Sequence, residues 1–313
     1  MMELRHLRYF VAIAEAGSVT RAAQRLGIQQ PPLTQQIRAL EAELGVILLQ
    51  RKGRGIALTQ PGEQLVIEAR SILDRVEAAV AATRRTGRGE AGRLGLGFTS
   101  SASFHPFVPR AIRAFREAHP LVALTLEESG TAELVEALRR EQLDAAFVRS
   151  PIDAGSRVVV LSVLEEEMVA ALPAGHRLSG GPGPVPLPLA ALGTETFILY
   201  RRPLGPGLFD AIIAACQRAG FSPRIGQEAP RMLSTLSLVA AGLGVSLVPA
   251  SMQRLGVPGI DYRRIATQAG LVAPLNLAYR PGESVATALR FIELVHAAGA
   301  SAAPRTGQHD PKR

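Results

Sequence analysis

Along the first sixty positions apolar residues recur at helical spacing and are interrupted at short intervals. Leu4, Leu7, Phe10, Val11 and Ala14 follow the 3.6-residue period, and Gly17 with Ser18 and Thr20 supplies a stop and a fresh capping region. A second short helix carries Ala22, Ala23 and Leu26 and stops at Gly27. A third is expected from near Gln30 to near Gly45, with Pro31 and Pro32 in its first turn, where the missing amides would have no intrahelical partner. From Val46 to Leu58 the pattern switches to alternation around Arg51-Lys52-Gly53-Arg54-Gly55, which predicts a two-stranded hairpin. Helix, turn, helix and hairpin at this spacing describe a winged helix-turn-helix over residues 1–60, whose third helix suits a major groove and whose hairpin tip suits a minor groove.

From Pro61 to Arg84 the pattern is helical again, and Leu65, Ala69, Ile72, Val76 and Ala79 alternate four and three apart as a short coiled-coil seam does. Thr86-Gly87-Arg88-Gly89-Glu90 breaks it, so residues 61–90 read as a linker helix and hinge. Beyond lie short apolar strands at Leu94 to Phe98, Val122 to Leu126, Ala145 to Val148, Val158 to Val163, Met168 to Leu172, Phe197 to Tyr200 and Leu275 to Tyr279. Helices around Phe107 to Phe115, Leu134 to Leu138, Ile212, Leu236 and Val285 to His296 interleave with them, which is α/β architecture. Residues 301–313 lack the apolar content of a packed element and are expected to be a disordered tail.

Charge sharpens the first unit's role. The 313-residue chain has a formal net charge of +8, and residues 1–58 hold eight Arg or Lys against Glu3, Glu15, Glu41 and Glu43, a balance of +4. Half the excess sits in under a fifth of the chain; the charge favours an anionic partner such as nucleic acid or an anionic membrane surface, and the helix-turn-helix pattern makes double-stranded DNA the expected one. Cys216 is the single cysteine, which excludes an intrachain disulfide and fits a reducing compartment. The amino terminus is charged and no run of about 18 apolar residues occurs, so no secretory signal or membrane span is expected and the cytoplasm is the expected location. The six histidines show no metal-ligand spacing, and no metal or cofactor is expected. Gly95 and Gly97 have Ser100 where the third glycine of a dinucleotide loop belongs, and Gly242 and Gly244 lie after a helix and ahead of a strand, the reverse of the order phosphate binding needs, so both pairs are read as turn or cap residues.

The opening segment, with Ala22-Ala23, Gln30-Pro31-Pro32-Leu33 and Leu40-Glu41-Leu44-Gly45, resembles the signature of LysR-type transcriptional regulators. Gly97-Phe98, Gly130-Thr131 and Ala240-Ala241-Gly242-Leu243-Gly244-Val245 to Pro249 extend the resemblance to nearly the full length, and the branch regulating aromatic-compound degradation is most similar. The resemblance implies a dimerising linker helix, a homodimer or homotetramer, and an effector domain over 91–300 built as two α/β subdomains like a periplasmic binding protein. Subdomain I would comprise about 91–160 and 267–300, and subdomain II about 161–266. It also implies a small-molecule effector, expected here to be a carboxylate such as an aromatic acid or a muconate-like compound.

Gln30, Pro31, Pro32, Thr34, Gln35 and Arg38 on the third helix, with Arg51 and Arg54 of the wing, are the expected DNA contacts. Thr34-Gln35 stands where that branch reads Ser-Arg, and glutamine pairs with adenine edges whereas arginine prefers guanine or phosphate. For the effector, Thr99, Ser100 and Ser101 cluster where a strand gives way to a helix, and Thr131 sits at the next such junction. In a doubly wound sheet both junctions open on one crevice. One extra residue between Phe98 and Pro109 leaves both Ser100 and Ser101 as candidates for the family's effector-binding serine, with Ser101 preferred. Arg149, Arg201 and Arg202 follow strands and complete the expected set. Two other readings stand beside this one. A hydrolytic enzyme would use Ser101, His105 and an acid such as Asp144, though Ser101 lacks the flanking glycines of a nucleophile elbow. An architectural DNA binder would need no effector at all.

Overall fold

The structure, a computed structural model, describes residues 2–52, 55–149, 152, 157–180, 185–204, 206–266 and 270–302. The chain forms two compact units, Met1–Arg85 and Thr86–Arg313.

The first unit contains α1 (Leu4–Ala16), α2 (Val19–Leu26), α3 (Gln30–Leu44), the antiparallel hairpin of β1 (Leu49–Lys52) and β2 (Gly55–Leu58), and most of α4 (Gln60–Gly87). Phe10, Ile13, Ala22, Ala23, Leu33, Ile37, Leu40 and Leu48 form its core, so the periodic positions of three short helices close on one another. The small Ala22 and Ala23 let α2 lie close beneath α1 and α3, and both are buried. At Gly62 a side chain could not fit, because a Cβ there would stand 2.2 Å from the Leu48 carbonyl oxygen. The start of α4 is thereby pressed onto the base of the wing. Of the expected seam, Leu65 packs against the first unit's own core and Ala69 is buried, while Ile72 and Val76 are half-buried and Ala79 is exposed. The helix continues to Gly87, two residues into the expected hinge.

The second unit contains β3 (Ala91–Phe98), α5 (Ser100–Ser103), α6 (Phe107–Ala118), β4 (Leu121–Glu128), α7 (Thr131–Arg139), β5 (Ala145–Val148) and β6 (Val159–Pro173). It continues with β7 (Thr196–Tyr200), α8 (Pro206–Arg218), β8 (Arg224–Ala229), α9 (Met232–Ala240), β9 (Ser246–Pro249), β10 (Ile260–Arg264), β11 (Val272–Tyr279) and α10 (Ala286–Ala302). The main sheet runs β10-β6-β11-β5-β3-β4, with β9 also paired to β6. β3 is parallel to β4 and β5, and β7 is parallel to β8, so each lobe turns the carboxyl ends of parallel strands toward a crevice. One lobe buries Leu94, Leu96, Phe107, Phe115, Phe147 and Phe291; the other buries Phe197, Leu199, Ile212, Leu236, Leu247 and Met252.

Several details depart from the expectation. Val158 to Val163 and Met168 to Leu172 were expected as two strands, yet they belong to the single fifteen-residue β6. Its residues Val159–Glu167 pair with β11 in one lobe, and Met168–Pro173 pair with β9 and β10 in the other. The acidic run Glu165-Glu166-Glu167 does not end the strand, because alternation exposes Glu165 and Glu167 and turns Glu166 inward to an arginine. Gly95 and Gly97 lie inside β3 and are not turn residues; a Cβ on Gly97 would meet Leu134 at 2.6 Å, so glycine there admits α7 onto the sheet. Finally, α10 runs through Ser301 and Ala302, and the remainder of the expected tail lies outside the described residues.

Candidate functional site

On the first unit, Gln30, Pro31, Pro32, Gln35 and Arg38 are exposed along α3, with Thr34 half-buried between them. Both prolines lie in the first helical turn, whose amides have no intrahelical partner, and the helix starts without a side-chain cap. The Thr20 hydroxyl donates to Gln30 Oε1 at 3.1 Å, and Thr34 returns its hydroxyl to the Gln30 carbonyl at 3.1 Å. Two of the expected base-reading side chains are thus held in place before any ligand arrives. His6 Nε2 lies 2.7 Å from Gln36 Oε1 and ties α1 to the same helix. Arg51 is exposed on β1 opposite Ile56, whereas Arg54 lies outside the described residues. Glu41 anchors the wing, its Oε1 accepting the Leu48 and Leu49 amides at 2.8 and 3.1 Å.

On the second unit a cavity of about 330 Å³ opens between the two lobes. Thr99, Ser100, Ser101, Thr131 and Arg149 line one side, at the carboxyl ends of β3, β4 and β5, and Tyr200, Leu208, Pro230, Arg231 and Met232 line the other. Three polar atoms on the first side are buried without a hydrogen-bond partner: Thr99 Oγ1, Thr131 Oγ1 and Arg149 Nε. Buried polar atoms are normally satisfied, and leaving one unpaired costs about 1–3 kcal/mol. All three face the same cavity, where a polar group entering it would come within their reach.

Arg149 is otherwise fully engaged. Its Nη2 lies 2.5 Å from Glu166 Oε2 and donates to the Ser101 carbonyl at 3.2 Å, while Nη1 donates to the Ala273 carbonyl at 3.2 Å. Burial pulls the Arg149 pKa below its ordinary value, and Glu166 opposes that shift. Glu166 Oε1 also accepts the Ser251 amide, so this one carboxylate joins both lobes behind the cavity. Glu133, on the cavity rim, is held below the usual carboxylate range by the Ser129 hydroxyl and the Gly130 amide. Burial pushes the Tyr200 phenol upward, so this side chain keeps its proton.

Arg201 and Arg202 do not reach this cavity. β7 ends at Tyr200, whose side chain takes the wall position; Arg201 is exposed, and Arg202 turns onto Asp210 of α8 with contacts of 2.7 and 2.9 Å. The charge on that side comes from Arg231, and facing it is Glu128, neither of which was singled out from the sequence. Arg231 stands between β8 and α9, the same kind of junction that pointed to Thr131. The polar, exposed sequence of β8 hid it, since no alternation marks Arg224–Ala229 as a strand. Ser101, His105 and Asp144 are not joined as a hydrolytic set. Asp144 accepts the Gly95 amide at 2.7 Å and faces Arg280, and His105 Nδ1 accepts the Phe107 amide. Among the described residues no cluster suited to a metal ion occurs, and no helix is long and apolar enough to cross a membrane.

A winged helix-turn-helix on one unit and a two-lobed α/β cleft on the other define an effector-responsive transcription regulator. Residues 4–63 match the family described as "Bacterial regulatory helix-turn-helix protein, lysR family", and residues 87–300 match "LysR substrate binding domain". The chain belongs to the LysR family of DNA-binding transcriptional regulators. It is 40% identical over 293 residues to the HTH-type transcriptional regulator BudR of Raoultella terrigena, covering 94% of this chain and 100% of that protein. It is 38% identical to CatR of Pseudomonas putida, covering 94% and 98% of the two chains. Among solved structures, full-length CbnR complexed with its target DNA is similar with a TM-score of 0.81 at 31% identity, covering 95% of this chain and 100% of that one.

Proposed function

We propose that the regulator answers to a small organic anion, a carboxylate of the aromatic-acid or muconate-like class, held in the cavity between the lobes by Thr99, Ser100, Ser101, Thr131 and Arg149. The observation that carries this reading is the pair of buried, unpartnered hydroxyls on Thr99 and Thr131 facing one cavity. Its volume of about 330 Å³ sits at the small end of ligand pockets, which suits a molecule of one ring or a short diacid. Tyr200, Leu208 and Met232 provide an apolar wall for the carbon skeleton, and the hydroxyls and Arg149 provide donors for a carboxylate. The resemblance to the aromatic-degradation branch supports the same class.

Operator recognition in this reading uses Gln30, Pro31, Pro32, Thr34, Gln35 and Arg38 in the major groove and Arg51 and Arg54 at the backbone or minor groove. The protein acts as a homodimer or homotetramer with α4 in the contact. CbnR was solved on its target DNA, which supports the DNA-bound mode for a chain of this similarity. A thermal-shift screen of aromatic acids and muconates, followed by calorimetry on the parent and Thr131→Val, tests the effector. A screen without stabilisation by any acid, or Thr131→Val affinity within twofold of the parent, overturns the assignment.

A further inference from the structure

The charges around the cavity are unequally committed. Arg149 is sealed against Glu166, with both side chains under a tenth exposed, and Glu133 is occupied by Ser129 and the Gly130 amide. The remaining charged pair on the wall is Arg231 with Glu128, Nη1 to Oε1 at 2.7 Å. Glu128 ends β4 in one lobe and Arg231 precedes α9 in the other, so their contact spans the mouth of the cavity. The Arg231 and Glu128 side chains are 65% and 36% exposed, respectively, and pairs of that exposure are weak and readily exchanged. Arg231 therefore presents a guanidinium on the cavity wall whose present partner is itself a carboxylate.

We infer that Arg231 reads the effector's carboxylate and that Glu128 is a built-in competitor, holding the guanidinium until the ligand enters and then giving it up. This rests on the proposed organic-anion effector. A guanidinium takes a carboxylate through two parallel hydrogen bonds, and an incoming acid must break the Glu128 contact and then sit near the Glu128 charge. Glu128 thus raises the concentration of acid needed to fill the site and rejects weakly held anions. Both residues are exposed, so neutral isosteres at these positions leave the cores intact.

The test is a cycle of Glu128→Gln, Arg231→Gln and the double variant in the full chain, titrated calorimetrically with benzoate, cis,cis-muconate and neutral benzamide. Arg231→Gln should weaken the acids about tenfold or more and leave benzamide within about twofold. Glu128→Gln should tighten the acids about two- to fivefold, and that gain should vanish in the double variant. Arg231→Lys should recover part of the loss, because it keeps the charge without the fork. Should the acids bind the parent and respond to Thr131→Val while both glutamine variants match the parent, the inference fails and the effector reading stands. Weakening by Glu128→Gln would make the pair a structural clasp and overturn the competitor role. Absence of acid binding to the parent overturns both.

Discussion

Arg149 and Glu166 meet at 2.5 Å inside the second unit, the one at the end of β5 and the other midway along β6, with side chains 3% and 7% exposed. Removing one partner of a buried pair strands the other charge in a poorly solvating interior, at a cost of about 3–5 kcal/mol. Glu166→Gln and Arg149→Met should each lower the urea midpoint of the second unit by that equivalent. Joint replacement by Met and Leu should cost less than the two single changes summed, since no lone charge remains. Additive losses would show that the pair is not what binds the two positions together.

Thr99→Val and Thr131→Val should behave in the opposite sense. Each removes a hydroxyl that has no partner, so the ligand-free protein should keep its stability or gain about 1 kcal/mol. The same changes should weaken effector binding. A clear fall in the ligand-free melting temperature would mean that the hydroxyls are satisfied internally and do not await a ligand.

On the reading head, Arg51→Ala should reduce the slope of log affinity against log salt by about one, as loss of a single phosphate contact does. Glu41→Ala should weaken DNA binding without touching DNA, because the Leu48 and Leu49 amides at the wing's base lose their acceptor. The two are separable by gel-shift titration across salt: the second change should leave the slope unaltered.

Self-association through α4 predicts that Ile72→Asp with Val76→Asp gives a smaller particle in light scattering. Leu65 and Ala69 are committed to the first unit itself, so the half-buried Ile72 and Val76, with the exposed Ala79, are the seam positions left to meet a second copy. An unchanged mass would move the contact off this helix.

Cys216 is buried in α8, and burial pushes its thiol up to about 11 from an ordinary value of 9.0. A folded-state value above the unfolded one means that the native thiol holds its proton more tightly. Its contribution to stability is full below pH 9.0 and is lost as pH rises through about 11. Thermal melts of the parent and Cys216→Val across that window should diverge, the parent falling faster with pH. Parallel melts would show that the thiol is ionised as readily in the folded protein as in the unfolded chain.

Reading order along the chain was enough for the first unit. Its first three helices are short, each stopped by glycine, and their apolar periods specify one small core, so Phe10, Ala22, Ala23, Leu33 and Leu40 end up buried together. Local period and stop signals act over a few residues and are visible wherever they occur. The same logic placed Thr99, Ser101 and Thr131 at strand-to-helix junctions, and the lobe's parallel strands bring them to one wall. What local pattern does not contain is which junctions face each other. That depends on strand order, and β6 sets it by pairing with β11 in one lobe and with β9 and β10 in the other, partners about a hundred residues downstream. Long-range pairing therefore put Glu166 behind the cavity and brought Glu128 and Arg231, 103 residues apart, to its mouth, whereas Arg202 turned to its chain neighbour Asp210 outside it. Hydrophobic periodicity reports the face that each element buries, and only the assembled sheets decide which polar ends share a cleft.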